Sequence, residues 1–224
     1  MKTRAWVVGS LSALLAAGCG GDAAPAKATA VASFYGSPAA AAIALGATPV
    51  SVDERGVPRL LRGGPALPGA NATEIAIAHA LRLAPAWGVQ SAPELVPLGE
   101  VPVLGGTIVR LRQDIDGIEI EHGELHVFVR ANGELVAVSG TMIGRDAPRA
   151  AARFVDNDTA AIARAVGHNF MATFEPAMLQ RHGRFIAGRN ATIDVQQATA
   201  KQIWHRDGDT LIAAWVTEAY ASNG

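Results

Sequence analysis

A single cysteine, Cys19, stands in the 224-residue chain. With one sulfhydryl there is no internal disulfide and no cysteine-built zinc site, and once residues 1–18 are removed no thiol chemistry within a folded core is expected. Aromatic residues are only 5% of the sequence, so a core must be assembled from Val, Ile, Leu and Ala. The formal net charge is −1, and no basic run is interleaved with aromatics. The electrostatic footprint of a nucleic-acid binder is therefore missing. There is no G-x-S-x-G, no Walker loop, no G-x-G-x-x-G and no H-E-x-x-H, which removes the commonest signatures of hydrolase, nucleotide-binding and zinc-peptidase chemistry. The apolar run Ala5–Ala17 is too short to span a bilayer as a helix of the mature protein.

That run does have a purpose that fits its flanks. Lys2 and Arg4 precede it and Ala16-Ala17-Gly18-Cys19 ends it, the layout of a signal peptide of residues 1–18. The ending is similar to a bacterial lipobox, which would make Cys19 a lipidated N-terminus; the plainer alternative is a secreted protein with an ordinary Cys in its signal peptide. Either way the expected location is exported, as a cell-envelope lipoprotein or as a secreted protein. Loss of Lys2 and Arg4 would leave 17 basic against 20 acidic residues, a net charge of −3.

Residues 20–49 are rich in Ala, Gly and Pro and read as a disordered tether, with one or two apolar helical turns within Pro38–Leu45. Val50–Arg62 reads as two short strands about a Gly turn. Asn71–Trp87 has helical spacing, with Asn71 or Thr73 as cap, Glu74 in the first turn and Pro85 ending the run. Leu95–Leu104, broken by prolines, reads as an extended connection.

The densest pattern is Thr107–Gly144, where apolar and polar residues alternate with the period of half-buried strands. Asp116-Gly117 and Asn132-Gly133 are type I′ turn signals. As two-residue turns they set Ile115 opposite Ile118, Val127 opposite Val138 and Val129 opposite Val136. Val109, Leu111 and Ile115 then share a buried face with Gln113 among them, and a buried amide requires hydrogen-bond partners.

Val109-Arg110-Leu111-Arg112-Gln113, Gly117, Gly123 before Leu125–Val129, Asn132-Gly133 and Ser139-Gly140 together resemble the FTP motif, the fungalysin/thermolysin propeptide module of secreted zinc metallopeptidases. The order helix, proline-broken connector, strands also resembles those propeptides. Further on, Asp156 or Asp158 can cap a helix through Ala160, Ile162, Ala163, Val166 and Phe170. Lys201–Tyr220 reads as a hairpin about Asp207-Gly208, in a register setting Trp204 opposite Leu211. This half resembles the PepSY module that accompanies FTP, with one strand fewer, which suggests either a truncated chain or the front piece of a longer precursor.

The resemblance implies an α+β fold: two small antiparallel-sheet modules, each backed by a helix, over residues 71–145 and 150–224, after a tether and extension over 19–70. It implies a propeptide region that inhibits a zinc metallopeptidase catalytic domain and assists its folding, in cis or in trans. Zinc is then expected only in that partner, the chain itself holding no cofactor and no peptidase activity. The alternative is a free-standing envelope lipoprotein that binds or inhibits a peptidase in trans, or a surface lipoprotein that shares only the module. The membrane is expected as a partner through the N-terminal lipid; nucleic acid is not.

The motif positions Arg110, Gln113, Gly117, Gly123, Gly133 and Gly140 are the candidate peptidase contacts. For Gln113 the structural reading is that its amide satisfies backbone groups at turns or strand ends, and the glycines are most simply turn or bulge positions. His122-Gly123-Glu124-Leu125-His126 places two His and a Glu on one strand face, but not with the helical spacing of a zinc motif. Solvated strand residues are the simpler assignment, and no metal site is expected.

Overall fold

The computed structural model describes residues 4–8, 35–151, 154 and 156–223. The chain forms two compact units, residues 20–148 and residues 149–224 together with 1–19. The first strand in chain order, β1 (Arg4–Val8), belongs to the latter unit.

In residues 20–148 the order is α1 (Pro38–Ala44), β2 (Thr48–Val52), β3 (Pro58–Arg62), α2 (Ala72–Arg82), a 3₁₀ turn (Ala84–Trp87), β4 (Glu94–Val103), β5 (Gly106–Ile115), β6 (Ile118–Ile120), β7 (Leu125–Val129) and β8 (Leu135–Ser139). Strands pair antiparallel in the order β4, β5, β7, β8, β3, β2, with β6 folding back on the end of β5. Helix α2 packs on β4, β5, β7 and β8. Its face Ile75, Ala76, His79, Ala80 and Leu83 is buried against Val109, Leu111, Leu125, Val127, Val129, Leu135 and Val138. With few aromatics, this interior is aliphatic, and Trp87 is its one large ring, donating its indole N–H to the Pro58 carbonyl at 2.9 Å.

The helix starts where the sequence places it. The Asn71 side chain accepts from the Glu74 N–H at 2.9 Å, and the Glu74 carboxylate accepts from the Ala70 N–H at 2.9 Å. This reciprocal cap satisfies two otherwise orphaned donors.

Part of the stretch that reads as a tether is folded. Ser37 caps α1, its hydroxyl accepting from Ala40 N–H at 3.2 Å, and the helix buries Ala41 and Ala42. The helix falls where one or two apolar helical turns are expected, within Pro38–Leu45. The proline-broken stretch before β5 is likewise no mere connection: Glu94–Val103 pairs along the whole of β5, with a bulge at Leu98. Prolines fit there because β4 lies at the edge, where a missing N–H costs no ladder bond.

The two hairpin registers come out differently. Asp116 and Gly117 both take positive φ, 56° and 76°, and Ile115 stands opposite Ile118 as expected. At the second turn Val127 faces Val138 as expected, but Val129 faces Leu135 and not Val136. Arg130 N–H donates to the Glu134 carbonyl and Gly133 N–H to the Arg130 carbonyl. This is a three-residue loop with Gly133 at φ 86°, a turn that ends in a bulge. The three-residue loop turns the larger Leu135 into the core, 3% exposed, and the extra residue Val136 restores the expected pairing of Val127 with Val138.

In the other unit, β9 (Arg149–Ala151) is followed by α3 (Asp158–Phe170), β10 (Leu179–His182), β11 (Phe185–Arg189), β12 (Ile193–Asp207) and β13 (Thr210–Asn223). β10, β11, β12, β13 and β1 pair antiparallel in that order, and β9 adds a short parallel pairing to β13. Helix α3 packs on β12 and β13. Ile162, Ala163 and Val166 meet Ile186, Ile193, Val195, Ala198, Ala219 and Ala221. The cap is Asn157, between the two aspartates expected there; its side chain accepts from Ala160 N–H at 2.9 Å. Asp156 pairs with Arg164 at 2.6 Å and Asp158 with Arg181. The β12–β13 turn sits one residue later than expected, at Gly208-Asp209, so Trp204 faces Ala213 and Leu211 faces Arg206. On the side away from β12, Glu218–Ser222 pairs with β1, so Arg4–Val8, within the stretch that reads as a signal peptide, is a strand in the unprocessed chain.

The fold is thus α+β, with a helix on the antiparallel sheet of each unit.

Candidate functional site

Strand β5 carries most of the residues singled out in the sequence, and its two faces have different chemistry. Val109, Leu111, Gln113 and Ile115 point into the core and are all 0% exposed. The Gln113 amide is satisfied on every side that matters. Its NH₂ donates to the carbonyls of Gly123 and of Thr141, the latter at 2.8 Å, and its carbonyl accepts from Ile143 N–H at 2.9 Å. One side chain therefore ties the loop after β6 and the segment after β8 to the middle of the sheet. A buried polar group held this way fixes geometry as well as stability. This is the structural role expected of the residue.

The glycines sit at the ends of this system. Gly117 is in the β5–β6 turn, and Gly123 offers the carbonyl that Gln113 grips. Gly133 and Gly140 need both their conformation and their size. Gly133 has φ 86°, and a Cβ there would lie 2.3 Å from the Leu67 carbonyl oxygen; Gly140 has φ 110°, and a Cβ would lie 2.4 Å from the Glu124 carbonyl oxygen. Any side chain at either position meets backbone that cannot step aside.

The Gly133 carbonyl is itself a junction. It accepts from Leu67 N–H at 3.1 Å and from His79 Nε2 at 2.9 Å. His79 is wholly buried, and its Nδ1 has no hydrogen-bond partner among the described residues. That assigns the proton to Nε2 and leaves a neutral ring. Burial holds its pKa below the ordinary histidine value, opposed by the bond to the Gly133 carbonyl and helped by the nearby Arg82 charge. The sequence offers one signal for this residue: His79 falls between Ile75 and Leu83 on the apolar helix stripe.

On the outward face of β5, Arg110 meets Glu124 at 3.0 Å, and the same carboxylate lies 3.3 Å from His126 Nε2. The Arg110 bond, with His126 adding to it, holds the Glu124 carboxyl below the usual carboxylate range against a smaller opposing effect of burial. Arg112 grips Asp114 through Nε and Nη2, both at 2.8 Å, and reaches Glu119 at 3.5 Å. The fork geometry raises the Arg112 pKa. These cations are thus paired within the sheet and do not form a free anion site.

His122 does not join Glu124 and His126; its Nε2 lies 3.9 Å from Glu121 instead. It lies in a left-handed turn, φ 55°, before β7 begins at Leu125, and its side chain is 92% exposed. The strand face expected to hold residues 122, 124 and 126 is broken there. Among the described residues no group of three or more His, Cys, Asp or Glu is placed to hold a metal ion. Cys19 lies outside the described residues.

Arg110, Gln113, Gly117, Gly123, Gly133 and Gly140 all belong to one sheet and its turns. Residues 100–142, from the middle of β4 to just past β8, match the family model for the Fungalysin/Thermolysin Propeptide Motif. No match to a curated protein was found.

Proposed function

We propose, on the premise that residues 100–142 carry this propeptide motif, that the chain is the propeptide region of a fungalysin/thermolysin-like zinc metallopeptidase precursor. It inhibits the catalytic domain and assists its folding. The single observation that carries the reading is that the matched stretch supplies the neighbouring strands β5, β7 and β8 and the end of β4, pinned together by Gln113. A propeptide must offer a preformed surface to a partner that is not yet folded, because a rigid template spends little free energy on its own ordering. The aliphatic core under α2 and the amide network supply that rigidity.

Zinc belongs to the partner in this reading. The chain has no H-E-x-x-H sequence, and it acts by association. The signal-like residues 1–18 and Cys19 place it outside the cytoplasm, anchored by lipid if Cys19 is acylated. Intact-mass analysis of protein from the native host should show residues 1–18 gone and diacylglycerol on Cys19; a water-soluble product with another N-terminus contradicts the anchor.

The function itself is tested by refolding. A denatured thermolysin-type catalytic domain, diluted with and without the purified chain, should regain more activity with it. The chain alone should cleave no peptide, with or without added zinc. Peptidase activity in the chain alone contradicts the reading, and an unchanged refolding yield contradicts the folding role.

A further inference from the structure

The face of the β4–β8 sheet away from α2 is not uniform. Across it runs one apolar row, read directly from the pairing: Val101 opposite Ile108, Ile108 opposite Phe128, Phe128 opposite Ala137. Arg62 closes the row on β3. Val101 is 49% exposed, and Leu104, at the tip of the β4–β5 hairpin beside the row, is fully exposed at 102%. Ile108, Phe128 and Ala137 are half-buried. Gly106 makes room for the aromatic ring: a Cβ there would come within 2.9 Å of Phe128 Cε2.

The next row toward the other end is polar, Gly99, Arg110, His126 and Ser139. Arg110 is paired with Glu124, whose carboxylate also lies 3.3 Å from His126 Nε2. The edge beside the row is unsuited to main-chain pairing. β4 carries Pro97 and Pro102, which have no N–H, and a bulge at Leu98; such features blunt a sheet edge. A partner therefore meets this end of the sheet through its face and through side chains, and the contact is apolar with a neutral, self-paired rim, the anatomy of a protein–protein interface centre.

We infer that the row Val101, Ile108, Phe128 and Ala137, with the Leu104 tip, is the surface on which the module seats the peptidase catalytic domain. The assignment rests on the propeptide reading given above. What ties it to that occupant is position: all five residues lie within the matched stretch 100–142, while the other exposed large apolar residues of the same unit, Ile43, Val50, Val52, Leu81 and Leu98, lie outside it.

The test uses the full chain against thermolysin as probe, cleaving a fluorogenic peptide. Val101→Arg and Leu104→Arg alter exposed positions, so each should keep the parent melting temperature. Each should raise the inhibition constant by about tenfold or more, as loss of an interface anchor does. Ile43→Arg serves as the control and should inhibit like the parent. If the parent inhibits and the row variants inhibit equally well, the surface is wrong and the propeptide reading stands. If the parent leaves thermolysin untouched, both fail together. Sedimentation of the chain alone covers the remaining occupant. A dimer of the parent that Leu104→Arg dissociates would assign the row to a second copy and overturn the inference.

Discussion

At the scale of single residues, Gln113 and His79 hold the β4–β8 sheet through polar bonds in an otherwise aliphatic interior. Gln113→Leu would leave the Gly123 and Thr141 carbonyls and the Ile143 N–H without their partner. Two or three stranded backbone groups at about 1–3 kcal/mol each predict a loss of roughly 3–5 kcal/mol in urea unfolding; a loss under about 1 kcal/mol would show that water replaces the amide. Gln113→Glu should be worse at neutral pH, because a carboxylate would face two carbonyl oxygens, and should recover partly on acidification as it gains a proton. His79 behaves in the opposite sense. Its folded-state pKa lies below the ordinary value, so between about 6.5 and that lower value the unfolded chain binds the extra proton. Stability should therefore fall as pH drops through that window and level off beneath it. Urea unfolding of the parent and of His79→Gln at pH 7.5 and 5.5 checks this: the parent's advantage should shrink on acidification, and a constant difference would contradict a titrating His79.

At the scale of elements, the hairpins carry the prediction and also show where the sequence was legible. Val127 and Val138 face one another in the core, both nearly unexposed. Val127→Asp buries a carboxylate without a partner and should cost a few kcal/mol, about 3 or more; an unchanged melting curve would mean that the face is wet. Alternation alone placed this pair, Ile115–Ile118, the inward face of β5 and the helix capped by Asn71, because period and turn chemistry are local. It misplaced the pairing of Val129 because Asn-Gly suits both a two-residue turn and a three-residue loop with a bulge. Which one forms is decided by packing, since the three-residue loop brings Leu135 under α2. The same limit explains β4 and α1. Pro97 and Pro102 signal a break to any local reading, yet an edge strand tolerates them; for α1 the helical turns were legible within Pro38–Leu45, and what stayed hidden was that they bury Ala41 and Ala42. The structural duty of Gln113 could be anticipated from its position among apolar residues. The partners it chose could not, as they lie 10, 28 and 30 residues away. Arg112, paired with Asp114 two residues on, was visible in the sequence but not distinguishable there from a solvated strand residue.

At the scale of the whole molecule, the chain folds as two helix-backed units, one of which carries the propeptide motif and presents an apolar row. On the proposed reading, this chain controls a zinc metallopeptidase by binding it. The most direct measurement is the steady-state rate of a thermolysin-type catalytic domain titrated with the full chain, with size-exclusion chromatography of the same mixtures. The account predicts a saturable loss of activity that is restored on dilution, and co-elution of the two proteins with the chain intact. An unchanged rate across the titration, with the two proteins eluting apart or the chain simply digested, would contradict it.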